Sequence, residues 1–484
     1  MDESAIKIGK KAFIFSASII LILMIFSGIL TIVLPAGMYD RVTEAGRTLV
    51  VNDSYREISK PDYPFWRWFS APIEVLFTGP DNITPIVIII FIAIVGGAIS
   101  ILESAGILSN LVNMLVARFA KRKYLLIAII IFFFMSIASF VGIYEGMVPM
   151  VIFIIPIAIS LGWDSLTGLG LSLLALSSGF FSAVTNPFTI AVPQRIADLP
   201  LFSGAWLRLI FFVIVYCFVT VFIIRYAKKI EADPSKSLCY KEDEALRQKL
   251  RGKLMTGRSA EMDGKNWRAL FWFCGCLLTA MVIVVAGARI PGLSDLAFPV
   301  MALLFLVGGV GGGLIAGMGP GKTWRSFGKG ALNMLPGIVL VLMAYSVKHI
   351  IVTGKIMDTI LFSAAELIRQ SPPMTAAFLI YAVTMVMNFF IPSASAKAFL
   401  MMPILTPLAD LTGVTRQTAV LAFDFGDGFS SMAFPTNALL LIALSFSVVG
   451  YTKWIAWTWK LQIVMLSITA AFLAFAVKTG FGPF

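Results

Sequence analysis

Apolar runs of about 20 residues recur along the sequence, the first at about 12–35 and the last at about 454–477. A helix of about 20 residues crosses the ~30 Å hydrocarbon layer of a bilayer, so these runs indicate transmembrane helices. The composition agrees, because 59% of the residues are hydrophobic and 13% are charged, whereas a soluble domain has about 25% charged residues. We therefore predict an all-α polytopic membrane protein. A soluble enzyme, a disordered protein and a nucleic-acid-binding protein are excluded.

Short clusters of basic residues between the apolar runs predict how the chain is oriented. Lys and Arg total 38 against 26 acidic residues, a net charge of +12. Because cytoplasmic loops of membrane proteins are enriched in Lys and Arg, the clusters place the N-terminus, residues 228–267 and residues 319–330 in the cytoplasm. The protein is then expected in the cytoplasmic (inner) membrane of a bacterium. The aromatic segment Pro61–Trp68 is predicted at the outer interface, and the C-terminus is predicted to be external.

Cysteine and histidine do not indicate a metal or catalytic centre. The four cysteines, Cys217, Cys239, Cys274 and Cys276, do not have the paired spacing of a disulfide framework or a zinc site. The single histidine, His349, cannot by itself build a hydrolytic motif. We expect no enzymatic activity and no cofactor.

Two pairs of short apolar runs flank polar, flexible stretches. The first pair flanks Gly142–Gly146, which we name tip 1. The second pair flanks Pro392 and Ser393–Lys397, and we name Ser393–Lys397 tip 2. Each pair fits either two full spans or a re-entrant hairpin that enters and leaves the membrane on one side. The runs are 124–141 with 147–161, and 374–391 with 398–412.

Two longer runs contain helix breakers in their middle. The run 165–200 contains Ser182–Pro187, and the run 414–447 contains Pro435–Asn437. Proline removes a backbone donor and clashes with the preceding turn, so both runs are predicted to be broken helices. Backbone in hydrocarbon must be hydrogen-bonded, and breaks at membrane depth therefore face protein or a water-filled cavity.

The second half of the chain repeats the first. Pro156 and Pro407, and likewise Asn186 and Asn437, lie 251 residues apart, and this offset brings tip 1 onto tip 2. The basic clusters give the first span of each copy opposite directions, so we predict an inverted repeat, as in many secondary transporters. We expect about nine transmembrane helices plus two re-entrant hairpins, and amphipathic surface helices at 103–120 and 355–370. The predicted units are 1–80 (first span and external interfacial segment), 81–227 (first repeat with hairpin 1), 228–267 (cytoplasmic linker), 268–330 (connecting spans) and 331–484 (second repeat with hairpin 2 and the last span).

Each copy places a hairpin tip beside a helix break, which predicts a pair of binding sites. Freed carbonyl groups at a break can coordinate a cation, while the N-termini of half-helices favour anions. The alternative is that these Ser, Thr and Asn side chains only hydrogen-bond neighbouring helices. The residues predicted to bind a coupling ion, Na⁺ or H⁺, are Gly142, Thr185, Asn186, Ser393, Thr436 and Asn437.

Four ionisable residues, Glu145, Lys397, Asp424 and Asp427, occur in the interrupted segments. Charges are costly inside a bilayer and usually mark a transport pathway or a buried pair, so Lys397 is either a substrate ligand or the partner of Asp424 or Asp427. Lys348 and His349 are near the end of a span, where snorkelling to the surface explains them. The residues predicted to bind substrate are Tyr144, Glu145, Asn186, Ser393, Ser395, Lys397, Asp427 and Asn437.

These motifs resemble those of the ion transporter superfamily. Ser182–Phe188 and Phe434–Ala438 look like its paired broken-helix motifs, and Ser393–Ser395 followed by Phe399–Pro403 looks like its hairpin tip and returning arm. The segment from Pro407 to Ser430 is similar to the YfcC-type group, which is related to anaerobic four-carbon dicarboxylate carriers. The resemblance covers most of the chain except the 228–267 linker.

The resemblance implies a homodimer in which a moving unit that holds both hairpins works against a fixed scaffold by an elevator motion. It also implies coupling to sodium or protons. Members of the YfcC-type group have been assigned both dicarboxylates and basic amino acids. We expect a cation-coupled secondary transporter of a small charged metabolite, with a four-carbon dicarboxylate as first choice and a basic amino acid transporter or antiporter as the alternative. An ion channel is the alternative of another class.

Overall fold

The computed structural model describes residues 10–44, 47–78, 83–108, 119, 122–248, 264–287 and 297–482. These residues are mostly helical. The α-helices are α1 (Lys10–Val33), α2 (Arg67–Phe77), α3 (Ile83–Ser104), α4 (Lys123–Ser136), α5 (Val151–Ser160), α6 (Ser165–Leu169), α7 (Ala175–Phe181), α8 (Val192–Ile196), α9 (Ala205–Ala232), α10 (Gly264–Gly287), α11 (Ala297–Ile315), α12 (Pro320–Asn333), α13 (Leu335–Thr353), α14 (Met357–Arg369), α15 (Pro373–Met387), α16 (Ala394–Thr412), α17 (Arg416–Ser430), α18 (Ala438–Ser445) and α19 (Tyr451–Thr479). Wider or tighter helical turns continue them at Ile137–Val141, Glu145–Met150, Gly170–Leu174, Pro187–Ala191 and Pro234–Lys236.

Six helices of the described chain are long and apolar enough to cross a membrane, which confirms the prediction of an all-α polytopic membrane protein. They are Phe13–Val33, Ile83–Ser104, Lys123–Val141, Ala205–Ala232, Leu335–Thr353 and Tyr451–Thr479. Shorter apolar helices occupy Glu145–Ser160, Ser165–Phe181, Pro299–Ile315 and Pro373–Met387. The total of nine spans and the re-entrant path of the hairpins stay predictions. Of the two surface helices, 355–370 is the half-buried helix α14, and most of 103–120 lies outside the described residues.

Two short antiparallel strand pairs follow α1, and the sequence did not reveal them. Strand β1 (Gly37–Met38) pairs with β4 (Arg56–Glu57), and β2 (Arg41–Glu44) pairs with β3 (Arg47–Val50). The buried carboxylate of Asp358 on α14 anchors this region, since it accepts the Tyr39 N–H at 2.9 Å and binds Arg41 Nη2 at 2.7 Å. Strands of two to four residues are too short to produce a readable alternation of apolar and polar residues.

The two halves share local structure at the predicted offset of 251 residues. Gly162 and Gly413 both adopt positive φ, +93° and +73°, and end equivalent helices. The next helices begin at equivalent caps, because Asp164 accepts the Thr167 N–H and Thr415 accepts the Thr418 N–H. Glycine tolerates the left-handed backbone that stops a helix, so both copies use the same stop and start signals.

The copies are inverted, as predicted. Asp164 of the first copy accepts the Tyr226 hydroxyl at 2.7 Å, near the C-terminal end of α9. In the second copy Gln417, two residues after the equivalent Thr415, donates to the Ser203 carbonyl at 2.7 Å, just before α9 begins. Helix α9 has 28 residues and is therefore about 42 Å long. Equivalent points of the two repeats thus lie at opposite ends of one membrane-length helix.

The C-terminal end of the chain lies opposite the linker. The α19 helix begins beside the linker, where Lys453 Nζ binds Glu242 at 2.5 Å and the Leu238 carbonyl at 2.7 Å. At its far end the Phe481 carbonyl accepts the Thr415 hydroxyl at 2.7 Å. The two ends of α19 therefore lie on opposite sides of the molecule, and the external position of the C-terminus stays a prediction.

Glycines allow close packing among the helices that connect the two repeats. A Cβ at Gly309 of α11 would lie 2.6 Å from the Ala98 Cβ of α3, and one at Gly97 would lie 2.5 Å from the Phe327 ring of α12. The glycine run of α11, Gly308–Gly313, therefore allows close helix contact. Helix α12 itself was not predicted; its basic residues face outward, while its Thr323 and Gly330 are buried.

The linker is partly a docked segment rather than a solvated connection. Asp243 is fully buried and accepts both the N–H and the hydroxyl of Ser165, at 2.9 and 2.5 Å. Ser237 donates to the buried Asp164 at 2.7 Å. Residues 233–248 are thereby held against the start of broken helix 1, the segment 165–196. Residues 249–263 lie outside the described residues.

Docking of residues 233–248 is expected to weaken as the pH rises. Burial raises the pKa of the Asp243 carboxyl from 3.8 to about 6, against the opposing hydrogen bonds from Ser165. The docked state therefore binds a proton more tightly than an undocked state, and its added stability is present below about pH 4 and is lost as pH rises through about 6, by up to about 3 kcal/mol.

Hydrogen–deuterium exchange of residues 233–248, corrected for the intrinsic pH dependence of exchange, measures this effect. Protection should fall between about pH 4 and about pH 7 in the wild type, and Asp243→Asn should flatten the profile because the titrating group is gone. A wild-type protection factor that does not change across this range would contradict the prediction.

Candidate functional site

Tip 1 and the first helix break (break 1, residues 182–186) lie against each other, as the sequence predicted. Gly142 ends the wide turn Ile137–Val141 with φ +79°, and a Cβ there would lie 2.7 Å from Asn186 Oδ1. Ser139 joins the two segments, donating its hydroxyl to the Ser182 carbonyl at 2.7 Å and accepting the Val184 N–H at 3.1 Å. A side chain at position 142 would therefore separate the hairpin from the break.

Thr185 and Asn186 use their side chains within this contact. The Thr185 hydroxyl donates to the Phe140 carbonyl at 3.0 Å. Asn186 Oδ1 accepts the N–H groups of Phe188 and Thr189, and its Nδ2 donates to the Ala138 carbonyl at 3.1 Å. Asn186 thus caps the second arm of broken helix 1 and ties it to hairpin 1 (residues 123–160).

Asn437 caps the corresponding arm of broken helix 2, the segment 416–445 with its break at 431–437 (break 2). Its Oδ1 accepts the N–H groups of Leu439 and Leu440 at 3.0 and 3.2 Å. Both asparagine oxygens already accept two N–H groups each, which favours capping over the predicted cation coordination. Both caps leave the positive end of a half-helix dipole at a break.

Asn437→Ala is expected to destabilise the protein by about 1 kcal/mol, because alanine cannot accept the first N–H groups of α18. Asn437→Asp retains the acceptor and should stay close to wild-type stability. Thermal unfolding of the purified protein in detergent checks both. Equal melting temperatures for the alanine variant and the wild type would show that the cap contributes nothing.

Tyr144 and Glu145 of tip 1 have different surroundings. Tyr144 is buried, its hydroxyl lies 2.8 Å from the Ser177 hydroxyl, and its ring stacks on Phe180. It therefore fixes tip 1 to broken helix 1. Glu145 is partly exposed and opens the short helical turn that contacts α18. Glu145 is the acidic residue of tip 1.

The turn of hairpin 2 lies earlier in the chain than the loop predicted at Ser393–Lys397. The chain turns at residues 388–393, and α16 starts at Ala394 behind the exposed Ser393, whose hydroxyl accepts the Ala396 N–H at 3.5 Å. Ser395 and Lys397 therefore lie in the first turn of α16 rather than in a loop. The sequence indicated a loop at these residues for two reasons. Pro392 lies just before the helix start, and Ser-Ala-Ser favours a helix less than the apolar run after it.

Lys397 is locked in a buried pair. Its ammonium lies 2.5 Å from Asp427 Oδ1 and 2.6 Å from Asn388 Oδ1, and it is 0% exposed. Asn388 in turn donates to the Asp427 carbonyl at 2.7 Å. Of the two roles that the sequence left open for Lys397, the structure has the buried pair, with Asp427 rather than Asp424 as partner.

A small cleft lies where hairpin 2 (residues 373–412) and break 2 meet α13. In this conformation its volume is about 10 Å³, about the space that one water molecule needs. Phe389 of the hairpin stacks on Phe434 of the break, with ring centroids 3.7 Å apart. The lining residues are Tyr345 and Lys348 of α13, Phe389, Phe390 and Pro392 of the hairpin, and Thr436 of the break.

The sequence explained Lys348 by snorkelling to the membrane surface, and in the structure this residue is half-buried. It lines the cleft beside Thr436, whose buried hydroxyl has no hydrogen-bond partner among the described residues. A readable signal existed, because Gly337, Val341, Ala344 and Lys348 recur at three- to four-residue spacing and share one helix face. A Cβ at Gly337 would meet Ser445 of α18, so that face points at broken helix 2.

Sequence reasoning also missed Arg208. This arginine is 1% exposed, and its guanidinium donates to the carbonyls of Val184, Ser203 and Phe202 at 3.1, 2.9 and 3.3 Å. It therefore satisfies a carbonyl freed by break 1. An arginine one turn into a long span carries little information by itself, because only the fold brings break 1 to it.

The two broken helices cross closely. Helix α17 packs against α7 and against the turn Pro187–Ala191, and a Cβ at Gly428 would overlap the backbone of Phe181. Asp424, one turn before Gly428, has Thr189, the Ala183 backbone and Arg208 around it. The crossing thus brings together ionisable residues from both repeats.

The chain matches the family model "DcuC: C4-dicarboxylate anaerobic carrier" over residues 14–478. It is 30% identical over 470 residues to the "Putative basic amino acid antiporter YfcC" of Escherichia coli (strain K12), covering 90% of this chain and 91% of that protein. A Haemophilus influenzae protein named only as uncharacterized is 25% identical over 391 residues, which is 81% of this chain and 75% of that one.

Two solved structures align with most of the chain at 16% identity. The Alcanivorax borkumensis YdaH transporter covers 97% of this chain and 99% of its own, and Neisseria gonorrhoeae MtrF covers 95% and 94%, each with a TM-score of 0.42. The family match and the E. coli relative carry the assignment. The chain is a membrane transporter and not an enzyme, and it belongs to the DcuC family of C4-dicarboxylate anaerobic carriers.

Proposed function

We propose that this protein is a cation-coupled secondary transporter of a small amino acid, with a basic amino acid as the first choice. The observation that carries the proposal is the sequestration of Lys397 by Asp427 and Asn388. With Lys397 unavailable, the charged residues that a substrate can meet at the hairpins are Glu145 at tip 1 and Lys348 at the cleft.

These two residues suit a solute that carries both charges. The Lys348 ammonium can pair a substrate carboxylate as a compact cation, and the capped N-terminus of α18 adds a partial positive charge beside Thr436. Glu145 can pair an ammonium group. Helix α18 contacts both α13, which carries Lys348, and the turn that begins at Glu145, and the proposal therefore places the solute beside α18.

The family to which the chain belongs favours a second candidate, a four-carbon dicarboxylate. Such a substrate would use the Lys348 cleft and leave Glu145 without a role in binding. The name of the E. coli relative, a basic amino acid antiporter, agrees with the first candidate. The two candidates share the carboxylate site and differ in what Glu145 does.

Alternating access follows from the inverted repeat. The hairpins and broken helices would form the moving unit, while α3, α10, α11 and α12, joined by close glycine contacts, would form the scaffold of a homodimer in the inner membrane. Helix α13 lies at the boundary, since it packs on both α1 and α18. Motion of the unit past α13 would carry the cleft across the membrane, as in an elevator. A channel is disfavoured because it would need a continuous polar pore.

Counterflow in proteoliposomes tests the proposal. Vesicles loaded with one unlabelled solute are given a trace of the same labelled solute, across a panel of basic, neutral and acidic amino acids and four-carbon dicarboxylates. Accumulation of a labelled basic amino acid that dicarboxylates do not inhibit is the expected result. Counterflow of dicarboxylates alone would replace the first candidate with the second, and downhill flux without counterflow would indicate a channel.

A further inference from the structure

Asp424 is a buried carboxylate at the point where the two broken helices cross. It lies on α17, is 0% exposed, and belongs to the second repeat, yet its neighbours Ala183 and Thr189 belong to the break and second arm of the first. It is thus a buried ionisable group at a contact between the two repeats. The buried pair of Lys397 and Asp427 lies one turn further along the same helix.

No hydrogen bond of full geometry reaches either carboxylate oxygen of Asp424 from the described residues, although the Thr189 hydroxyl and the Ala183 amide lie close to it. The hydroxyl of Thr189, also 0% exposed, is likewise without one. An ionised carboxylate without hydrogen bonds or a bound cation is very unfavourable in a low-dielectric interior, whereas the protonated acid is neutral and can donate. The surroundings of Asp424 in this structure therefore favour the neutral, protonated carboxyl group over the carboxylate.

The charged groups that face Asp424 are Arg208 from α9 and Asp427 on its own helix, the latter paired with Lys397. Of the elements packed against α17, α7, Pro187–Ala191 and α15 contain no charged residue. The other three, α16, α8 and α19, carry Lys397, which pairs with Asp427, Lys453, which binds Glu242, and the exposed residues Asp410, Arg195, Lys460 and Lys478. The guanidinium of Arg208 is directed to three backbone carbonyls, not to the carboxylate. A positive charge is thus nearby but engaged elsewhere.

We propose that Asp424 binds the proton whose transfer is coupled to transport. This rests on the proposed function and names its coupling ion. A metal cation fits the position poorly, because Na⁺ needs several oxygen ligands and would face the Arg208 guanidinium and the Ala183 amide. A proton needs one oxygen, and the resulting carboxyl group can donate to Thr189.

Arg208 connects the charge of Asp424 to the shape of break 1. Loss of the proton leaves a carboxylate that attracts the guanidinium, and the Arg208 Nε bond to the Val184 carbonyl, 3.1 Å long, competes with that attraction. Val184 is two residues before Asn186, the cap that holds tip 1. Protonation and deprotonation of Asp424 therefore favour different arrangements of break 1 and of the hairpin packed on it.

The test uses the full-length protein in proteoliposomes with an imposed pH gradient. Asp424→Asn cannot titrate, so counterflow of the transported solute should persist while accumulation driven by the pH gradient falls at least about tenfold. Asp424→Glu keeps the acid and should keep coupling, and Asp62→Asn, an exposed aspartate outside the site, is the matched control. Isothermal calorimetry in buffers of different ionisation enthalpy should show about one proton fewer exchanged per bound substrate in Asp424→Asn.

The possible results separate this inference from the proposed function. Absence of counterflow in the wild type for every amino acid and dicarboxylate would refute the proposed function itself. Wild-type counterflow with no response to the pH gradient, or an unchanged pH-driven accumulation in Asp424→Asn, would refute only the role of Asp424. If Asp424→Asn does not fold, infrared spectroscopy of the wild type and Asp424→Glu decides: a protonated carboxyl band that shifts in the glutamate variant supports the proposal, and identical carboxyl bands overturn it.

Discussion

Lys397→Gln is expected to lower the stability of the protein by about 3–5 kcal/mol. The variant removes the positive partner of Asp427 while that carboxylate stays 1% exposed. A buried charge that loses its partner costs far more than the intact pair contributes, because the desolvation of the remaining ion is no longer offset. Thermal unfolding in detergent, followed by tryptophan fluorescence, should show a large fall in melting temperature.

Asp427→Asn in the same chain should restore much of that loss, since a neutral amide replaces the orphaned carboxylate. The coupling energy from the four proteins of this double-mutant cycle measures the pair itself. Lys478→Gln removes an exposed lysine of α19 and is the matched control, with a melting temperature close to wild type. A Lys397→Gln protein of wild-type stability that loses substrate binding would instead make Lys397 a ligand.

Lys348→Gln is expected to weaken substrate binding by roughly 10- to 100-fold, the worth of a hydrogen bond to a charged group. The reason is that Lys348 supplies the positive charge for a substrate carboxylate in the cleft between α13 and hairpin 2. Every carboxylate substrate should be affected alike, whether amino acid or dicarboxylate. Competition against labelled substrate measures the change, and Lys322→Gln on the exposed face of α12 should leave the affinity unaltered.

Glu145→Gln distinguishes the two substrate classes. It should weaken an amino acid by about tenfold or more through the lost contact with the ammonium group, and leave a dicarboxylate unchanged or bound more tightly. An affinity for basic amino acids that is the same in Glu145→Gln and wild type would contradict the role of Glu145. Wild-type carboxylate binding in Lys348→Gln would remove the cleft from the substrate pathway.

Particular residues show how far sequence reasoning reached within the site. The repeat placed tip 1 beside break 1, and the structure has Gly142 against Asn186. The same reasoning selected Asn186 and Asn437, yet assigned them to cation binding, whereas their oxygens accept helix N–H groups. An asparagine at a helix break can cap or coordinate, and the choice depends on which donors face it.

The sequence left the role of Lys397 open and explained Lys348 by snorkelling, and both cases have a related reason. Both are lysines near the end of an apolar run, and nothing in the local sequence separates a buried lysine from an exposed one. Three-dimensional packing buries Lys397 against Asp427 and Asn388 and turns Lys348 toward the cleft. Arg208 is a third case, because one of its carbonyl partners, Val184, lies in break 1, a different segment of the first repeat.

The sequence by itself determined the membrane-spanning helices, the two broken helices and the repeat, because the length of an apolar run, the position of a proline and the offset of a repeat can all be read along the chain. The bilayer requires the same apolar length and the same backbone hydrogen bonding of every chain that crosses it. The tertiary structure alone decided which charges face one another: it paired Lys397 with Asp427, brought Asp424 of one repeat to break 1 of the other, and aimed Lys348 at break 2. The physical reason is that electrostatic interaction in a low-dielectric interior depends on distances and orientations of a few ångströms between segments hundreds of residues apart.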